Sequence, residues 1–134
     1  MVDVIVKKTG RLSGQVCAPP SKSYTQRMVI AAALSPGTSK VSNPLLSEDT
    51  EATLRAVTAL GAKVKVAESC WTIEGAVPLK GARDPIDCGE SGATLRFMIP
   101  VAALAKGSST LLFEGSVERR PVEPVLACLR ELGA

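Results

Sequence analysis

A chain of 134 residues, 46% hydrophobic and 22% charged, fits one domain or part of a larger one and carries enough apolar material for a packed core. Its net charge of +3 is too small and too dispersed to argue for nucleic acid, yet it suits small anionic ligands wherever several cations converge. Four cysteines with no CxxC pair and no histidine argue against zinc and make a reduced, cytoplasmic chain the expectation. Without histidine, any acid–base chemistry falls to Lys, Arg, carboxylates or hydroxyls.

Aromatic residues make up only 3% of the chain, so the core is expected to consist of small aliphatic side chains, as in layered α/β proteins. Val2 to Lys7 and Leu12 to Cys17 read as short strands separated by the Thr9-Gly10 turn, and Ala18-Pro19-Pro20 stops regular structure. A helix is predicted from near Ser21 through Leu34, ended by Ser35-Pro36-Gly37, and a strand from Ser39 to Asn43. Ser47 is placed to cap the next helix, with Glu48, Asp49 and Glu51 in its first turn and Leu54, Val57 and Leu60 as its apolar stripe. Gly61 stops that helix. Lys63 to Ala67 and Trp71 to Glu74 then read as a hairpin.

The pattern starts again with a strand from Pro85 to Cys88, a cap at Ser91 and an apolar helix from Leu95 to Leu104, in which Pro100 should produce at least a kink. The apolar run around Phe97 to Ala105 is too short to span a bilayer. The opening Met1-Val2-Asp3-Val4 is not that of a signal peptide. A strand from Thr110 to Phe113 and a last helix with Val122, Val125, Leu126, Leu129 and Leu132 on one face complete the reading. Two stretches look like copies: Arg27-Met28-Val29-Ile30 matches Arg96-Phe97-Met98-Ile99, and Ala59-Leu60-Gly61-Ala62 matches Glu131-Leu132-Gly133-Ala134. The second copy stops before its last strands, so the chain reads as a fragment.

Three constellations carry candidate chemistry. In Pro20-Ser21-Lys22-Ser23-Tyr24-Thr25-Gln26-Arg27, free N–H groups at a helix start favour an anion, Ser23 adds a hydroxyl, and Arg27 shares a helical face with it. Lys22 opposes the helix dipole in the first turn, which a phosphate or carboxylate between dipole and cation would explain. A solvated Lys and Arg beside an ordinary cap would leave the same residues. Cys88-Gly89-Glu90-Ser91-Gly92-Ala93-Thr94-Leu95-Arg96 puts two glycines at a strand-to-helix junction, where backbone can approach a ligand or simply turn. Arg96, the repeat partner of Arg27, is not read as catalytic. In Glu118-Arg119-Arg120-Pro121, Pro121 fits a first helical position, which would put Arg120 at the cap.

Taken together, these residues resemble 5-enolpyruvylshikimate-3-phosphate synthases. Pro20 to Arg27 looks like the signature of that family. Gly89 to Arg96 is similar to its Gly-Asn-(Ala/Ser)-Gly-Thr-x-x-Arg loop, and Glu118 to Pro121 to its Arg-Pro motif. The resemblance covers essentially the whole chain but only the front part of the longer family enzyme. It implies an α/β (α+β) fold of repeated βαβαββ units, helices inside and sheets outside, with the second repeat truncated. Residues 1–19 would be strands belonging to the other domain, 20–83 the first repeat and 84–134 the incomplete second.

The resemblance also implies enolpyruvyl transfer from phosphoenolpyruvate to the 5-hydroxyl of shikimate 3-phosphate, in the shikimate pathway to aromatic amino acids, with no metal or organic cofactor. Lys22, Ser23 and Arg27 would bind shikimate 3-phosphate. Lys22, Gly92 and Arg120 would hold phosphoenolpyruvate, with Lys22 also catalytic. The missing part of the enzyme would be the macromolecular partner, with neither nucleic acid nor membrane involved. Glu90 replaces the family's usual Asn, adding negative charge near an anion site. Ala93 replaces its usual Thr, a lost hydroxyl that Thr94 or a water would cover. The alternatives are a truncated, non-catalytic anion-binding domain, an RNA-handling relative that would lack an aromatic stacking platform, and a relative of UDP-N-acetylglucosamine enolpyruvyl transferase. The last carries Lys-Asn where this chain has Lys22-Ser23.

Overall fold

The computed structural model describes residues 2–134. Two runs of elements follow one another. The first comprises α1 (Lys22–Ala33), β1 (Thr38–Ser42), α2 (Glu48–Ala59), β2 (Lys63–Lys65) and β3 (Cys70–Glu74). The second comprises β4 (Ile86–Asp87), α3 (Gly92–Ala103), β5 (Leu111–Leu112), a 3₁₀ turn (Gly115–Arg119) and α4 (Glu123–Glu131). Helices α1, α2 and α3 pack on one another in sequence, and the sheets lie against them.

In the first run β3 is central, antiparallel to both β1 and β2, with Val41 opposite Trp71 and Val64 opposite Ile73. The alternation along β3 decides which face is covered: Trp71 and Ile73 are buried while Glu74 is exposed. In the second run β4 and β5 pair in parallel, and α3 is the crossover that parallel neighbours require. The core is mostly Ala, Val, Ile and Leu, as composition suggests, but its largest fully buried side chain is the single Trp71.

Helix boundaries follow local chemistry. Ser47 caps α2 reciprocally with Thr50: each accepts at its side-chain oxygen from the other's backbone N–H. Ser21 and Ser91 cap α1 and α3, helices of equal length. The sequence copies correspond to this equivalence. Pro100 lies inside α3, which remains helical through Ala103. Burial of Leu95, Met98, Val101 and Ala102 outweighs one lost backbone hydrogen bond.

Two expectations are corrected. The strands predicted at Val2–Lys7 and Leu12–Cys17 are absent; the segment before α1 has no regular structure, and Val4, Ile5, Leu12 and Val16 are exposed. A strand needs a ladder partner, and none of the described residues supplies one. The last helix begins after Val122 rather than at Pro121, with Pro124 in its first turn. None of its residues is buried, so its apolar stripe is only partly covered.

Gly75 fixes how closely β3 approaches the end of α1. Its N–H donates to the Gly37 carbonyl at 2.9 Å, and the next N–H, of Ala76, donates to Ala33 at 3.0 Å. A Cβ at position 75 would lie 2.8 Å from the Ala32 carbonyl oxygen and closer still to that of Ser35. Those are backbone atoms and cannot swing aside. Gly75→Ala is therefore expected to destabilise the chain by about 3 kcal/mol, the upper part of the usual overpacking range. Urea unfolding should show a lower midpoint at unchanged slope.

Candidate anion-binding site

Lys22 is the first residue of α1. Its ammonium donates to Asp49 Oδ2, in the first turn of α2, at 2.6 Å. The negative group that this cation was expected to need is thus supplied from within the chain. Ser23, next to it, is exposed, and its carbonyl accepts from Arg27 Nη1 at 2.9 Å. The Arg27 guanidinium lies over the Phe97 ring of α3, 4.8 Å from the centroid, with no carboxylate partner among the described residues. That stacking turns a flexible cation into a placed one.

At the start of α3, Ser91 Oγ accepts from the Thr94 N–H at 3.2 Å, leaving Gly92 as the first helical residue. A Cβ on Gly92 would stand 3.0 Å from Arg120 Nη1 and 3.4 Å from Arg96 Nη1. Two guanidinium groups therefore close on one point beside a helix start, which only glycine leaves open. Arg96 donates to the Pro121 carbonyl at 3.2 Å and more weakly to that of Gly92 at 3.5 Å, tying the Arg120 segment to the turn. Arg27 and Arg96 thus make the same reach back to the carbonyl four residues earlier, one in each copy.

Arg120 is not a helix cap, contrary to expectation. It ends the 3₁₀ turn, with its N–H on the Val117 carbonyl at 2.9 Å and an extended backbone (φ −95°, ψ 126°). The following Pro121 disfavours a helical conformation at Arg120, which explains the shape. The guanidinium reaches the start of α3 all the same. One further expectation changes. The Thr94 hydroxyl does not cover for the Thr that Ala93 replaces, because Thr94 is fully buried and its oxygen is committed to Gln26, Ser91, Thr53 and the Asp49 carbonyl. The Glu90 carboxylate packs over Gly115, whose missing side chain leaves it room.

Partial burial alone would raise the Asp49 carboxyl. The Lys22 hydrogen bond, the nearby Ser91 hydroxyl and the charges of Lys22 and Arg120 outweigh it and leave Asp49 below its ordinary value of 3.8. Asp49 thus links the predicted groups, sitting between Lys22 and the Gly92–Arg120 turn. Sequence reading missed this role: locally Asp49 is one of three acids suited to the first turn of α2, and nothing nearby in the chain points to Lys22. A cleft of about 560 Å³ opens on the acidic side, lined by Glu48, Asp49, Glu51, Asp87, Glu90 and Glu114 with Arg55 as the one cation among them. Its net negative charge suits an anion less well than the open surface where Lys22, Arg96 and Arg120 lie. No relation between Arg27 and Arg120 emerges beyond their both reaching α3.

A depressed native carboxyl contributes stability above its unfolded value and loses it as pH falls through the native one. The Lys22–Asp49 pair is partly solvent-exposed and is expected to contribute roughly 0.2–1 kcal/mol. Asp49→Asn should remove this amount near neutral pH, with the difference from the parent chain vanishing as pH drops below 3.8. Denaturant unfolding from pH 7 to pH 2 checks both limbs.

Comparison with known proteins identifies the family. The family model for EPSP synthase (3-phosphoshikimate 1-carboxyvinyltransferase) matches residues 6–134. A 3-phosphoshikimate 1-carboxyvinyltransferase of Methanothermobacter thermautotrophicus is 45% identical over 133 residues, spanning 98% of this chain and 32% of the relative. That of Methanothrix thermoacetophila is 49% identical over 127 residues, spanning 92% and 29%. The EPSP synthase structure from Acinetobacter baumannii superposes with a TM-score of 0.78 at 28% identity, covering 90% of this chain and 28% of that one. The chain spans about a third of the length of the curated relatives it matches, and it belongs to the EPSP synthase family, with the enolpyruvyl transferase fold.

Proposed function

We propose that this chain supplies the anion-holding part of an enzyme that moves the enolpyruvyl group of phosphoenolpyruvate to the 5-hydroxyl of shikimate 3-phosphate, working in the cytoplasm. The observation that carries this reading is the meeting of Lys22, Gly92 and Arg120 around Asp49. Both substrates bear a phosphate and a carboxylate, and a surface of this kind neutralises such groups. Lys22, Ser23 and Arg27 would hold shikimate 3-phosphate. Lys22, the Gly92 N–H and Arg120 would hold phosphoenolpyruvate, the incoming anion sharing Lys22 with Asp49.

In the reaction, the 5-hydroxyl gives up its proton as its oxygen bonds to C2 of phosphoenolpyruvate, and C3 takes a proton to become a methyl group. The tetrahedral adduct then loses a methyl proton and phosphate, restoring the double bond. Lys22, in reach of both substrates, would stabilise the charge shifting onto the departing phosphate. We assign the acid–base carboxylates to the rest of the enzyme and infer binding without turnover for the 134 residues alone. In the same reading, residues 1–19 pair as strands with the other domain. Residues 20–83 and 84–134 form the first repeat and the opening of the second.

A phosphorus NMR titration tests this. The shikimate 3-phosphate resonance should shift saturably with the chain and not with Lys22→Ala or Arg27→Ala. Gly92→Ala, which displaces Arg120, should weaken phosphoenolpyruvate about tenfold, the loss of one charge-assisted contact, and spare shikimate 3-phosphate. If neither ligand binds the folded chain after it is rejoined to a relative's remaining part, the proposal is wrong.

A further inference from the structure

The buried polar groups beneath the anion surface form one network, and a single hydroxyl lies at its centre. Thr94 Oγ1 is 2.8 Å from Ser91 Oγ, 3.1 Å from Gln26 Nε2, 2.8 Å from Thr53 Oγ1 and 3.1 Å from the Asp49 carbonyl. Gln26 and Thr53 also approach that carbonyl, at 3.4 and 3.0 Å. Thr94, Thr53, Gln26 and Ser91 are all at most 3% exposed.

A hydroxyl has one proton and two lone pairs. Gln26 and Ser91 can only supply protons to Thr94 if Thr94 gives its own to Asp49 or Thr53, so the arrangement has a direction and each member constrains the next. Gln26 belongs to α1, Asp49 and Thr53 to α2, Ser91 and Thr94 to α3. Every member lies close in sequence to a group of the anion surface. Gln26 stands one turn beyond Lys22 and next to Arg27, Asp49 carries the carboxylate on Lys22, and Ser91 precedes Gly92.

We propose that Thr94 is a positioning residue: its buried hydroxyl sets the separation between the Lys22–Asp49 pair and the Gly92–Arg120 turn, and so tunes how the surface grips an anion. The inference builds on the proposed function for the identity of the anion, but the geometry it describes exists in the chain alone. Buried hydrogen-bonded groups suit such a role because each is costly to leave unpaired, which favours one arrangement over near alternatives.

Thr94→Val keeps the shape and removes the hydrogen bonds, whereas Thr94→Ser keeps the hydroxyl. Two readouts separate positioning from mere stability. The first, carbon NMR titration of the Asp49 carboxyl, needs no ligand. The second is phosphoenolpyruvate affinity by phosphorus NMR. In Thr94→Val that remains folded, Asp49 should titrate nearer its ordinary range and affinity should fall about tenfold, as for one lost buried hydrogen bond. Thr94→Ser should restore both. Should Thr94→Val fail to fold, Thr53→Val, which removes a partner of the hydroxyl on α2 without touching the Asp49 carboxylate, must move the same two readouts. An unchanged Asp49 titration in a folded variant lacking either hydroxyl would overturn the proposal. A parent chain that binds no phosphoenolpyruvate would count against the functional reading only, since the Asp49 titration still decides the role of Thr94.

Discussion

Three helices begin side by side, and that arrangement is electrostatically uncomfortable. The first turns of α1, α2 and α3 each expose N–H groups at the positive end of a helix dipole, and like ends repel. Buried hydrogen bonds among Gln26, Thr53, Ser91, Thr94 and the Asp49 carbonyl hold the three together. The composition of the first turns shows how the charge is divided. Helix α2 carries Glu48, Asp49 and Glu51 there, while α1 and α3 carry no acid. The ends of α1 and α3 are left without local compensation, and Lys22 and Arg120 add to their positive field.

That field is only partly offset within the chain. Asp49 restrains Lys22 without neutralising the neighbourhood, since Arg27, Arg96 and Arg120 form no ion pair among the described residues. Cations held in place before an anion arrives leave little reorganisation for the moment of binding. Arg27 is held by the Phe97 ring and Arg96 by two backbone carbonyls, while Arg120 lies where the missing Gly92 side chain leaves room.

The far end of α1 serves the opposite purpose. There Ser35, Gly37 and Gly75 bring β3 against the last carbonyls of the helix, and Trp71, Ile73, Val29 and Ala33 close an apolar interior. One helix is therefore anchored at its carboxyl end by packing and at its amino end by hydrogen bonds, with the candidate anion-binding residues at the latter. Rigid support of this kind suits a site whose specificity depends on the spacing of charges.

The sequence by itself determined which segments become helices and where the first three start, because the caps Ser21, Ser47 and Ser91 act on N–H groups only a few residues away. It also showed the internal copy and the three motifs that carry the family resemblance, since these are local patterns. The opening strands it predicts do not form here, because their apolar alternation needs a partner that the described residues do not provide. It misplaced Arg120 relative to the last helix, where the constraint from Pro121 acts backward on the residue before it. Only the tertiary structure decided that Asp49 belongs with Lys22, that Thr94 is buried rather than facing ligand, and that Arg96 ties Pro121 to Gly92. Each of those facts joins residues on different elements. Packing of three helices selects such contacts among many sterically possible ones, and no local rule of spacing encodes that choice.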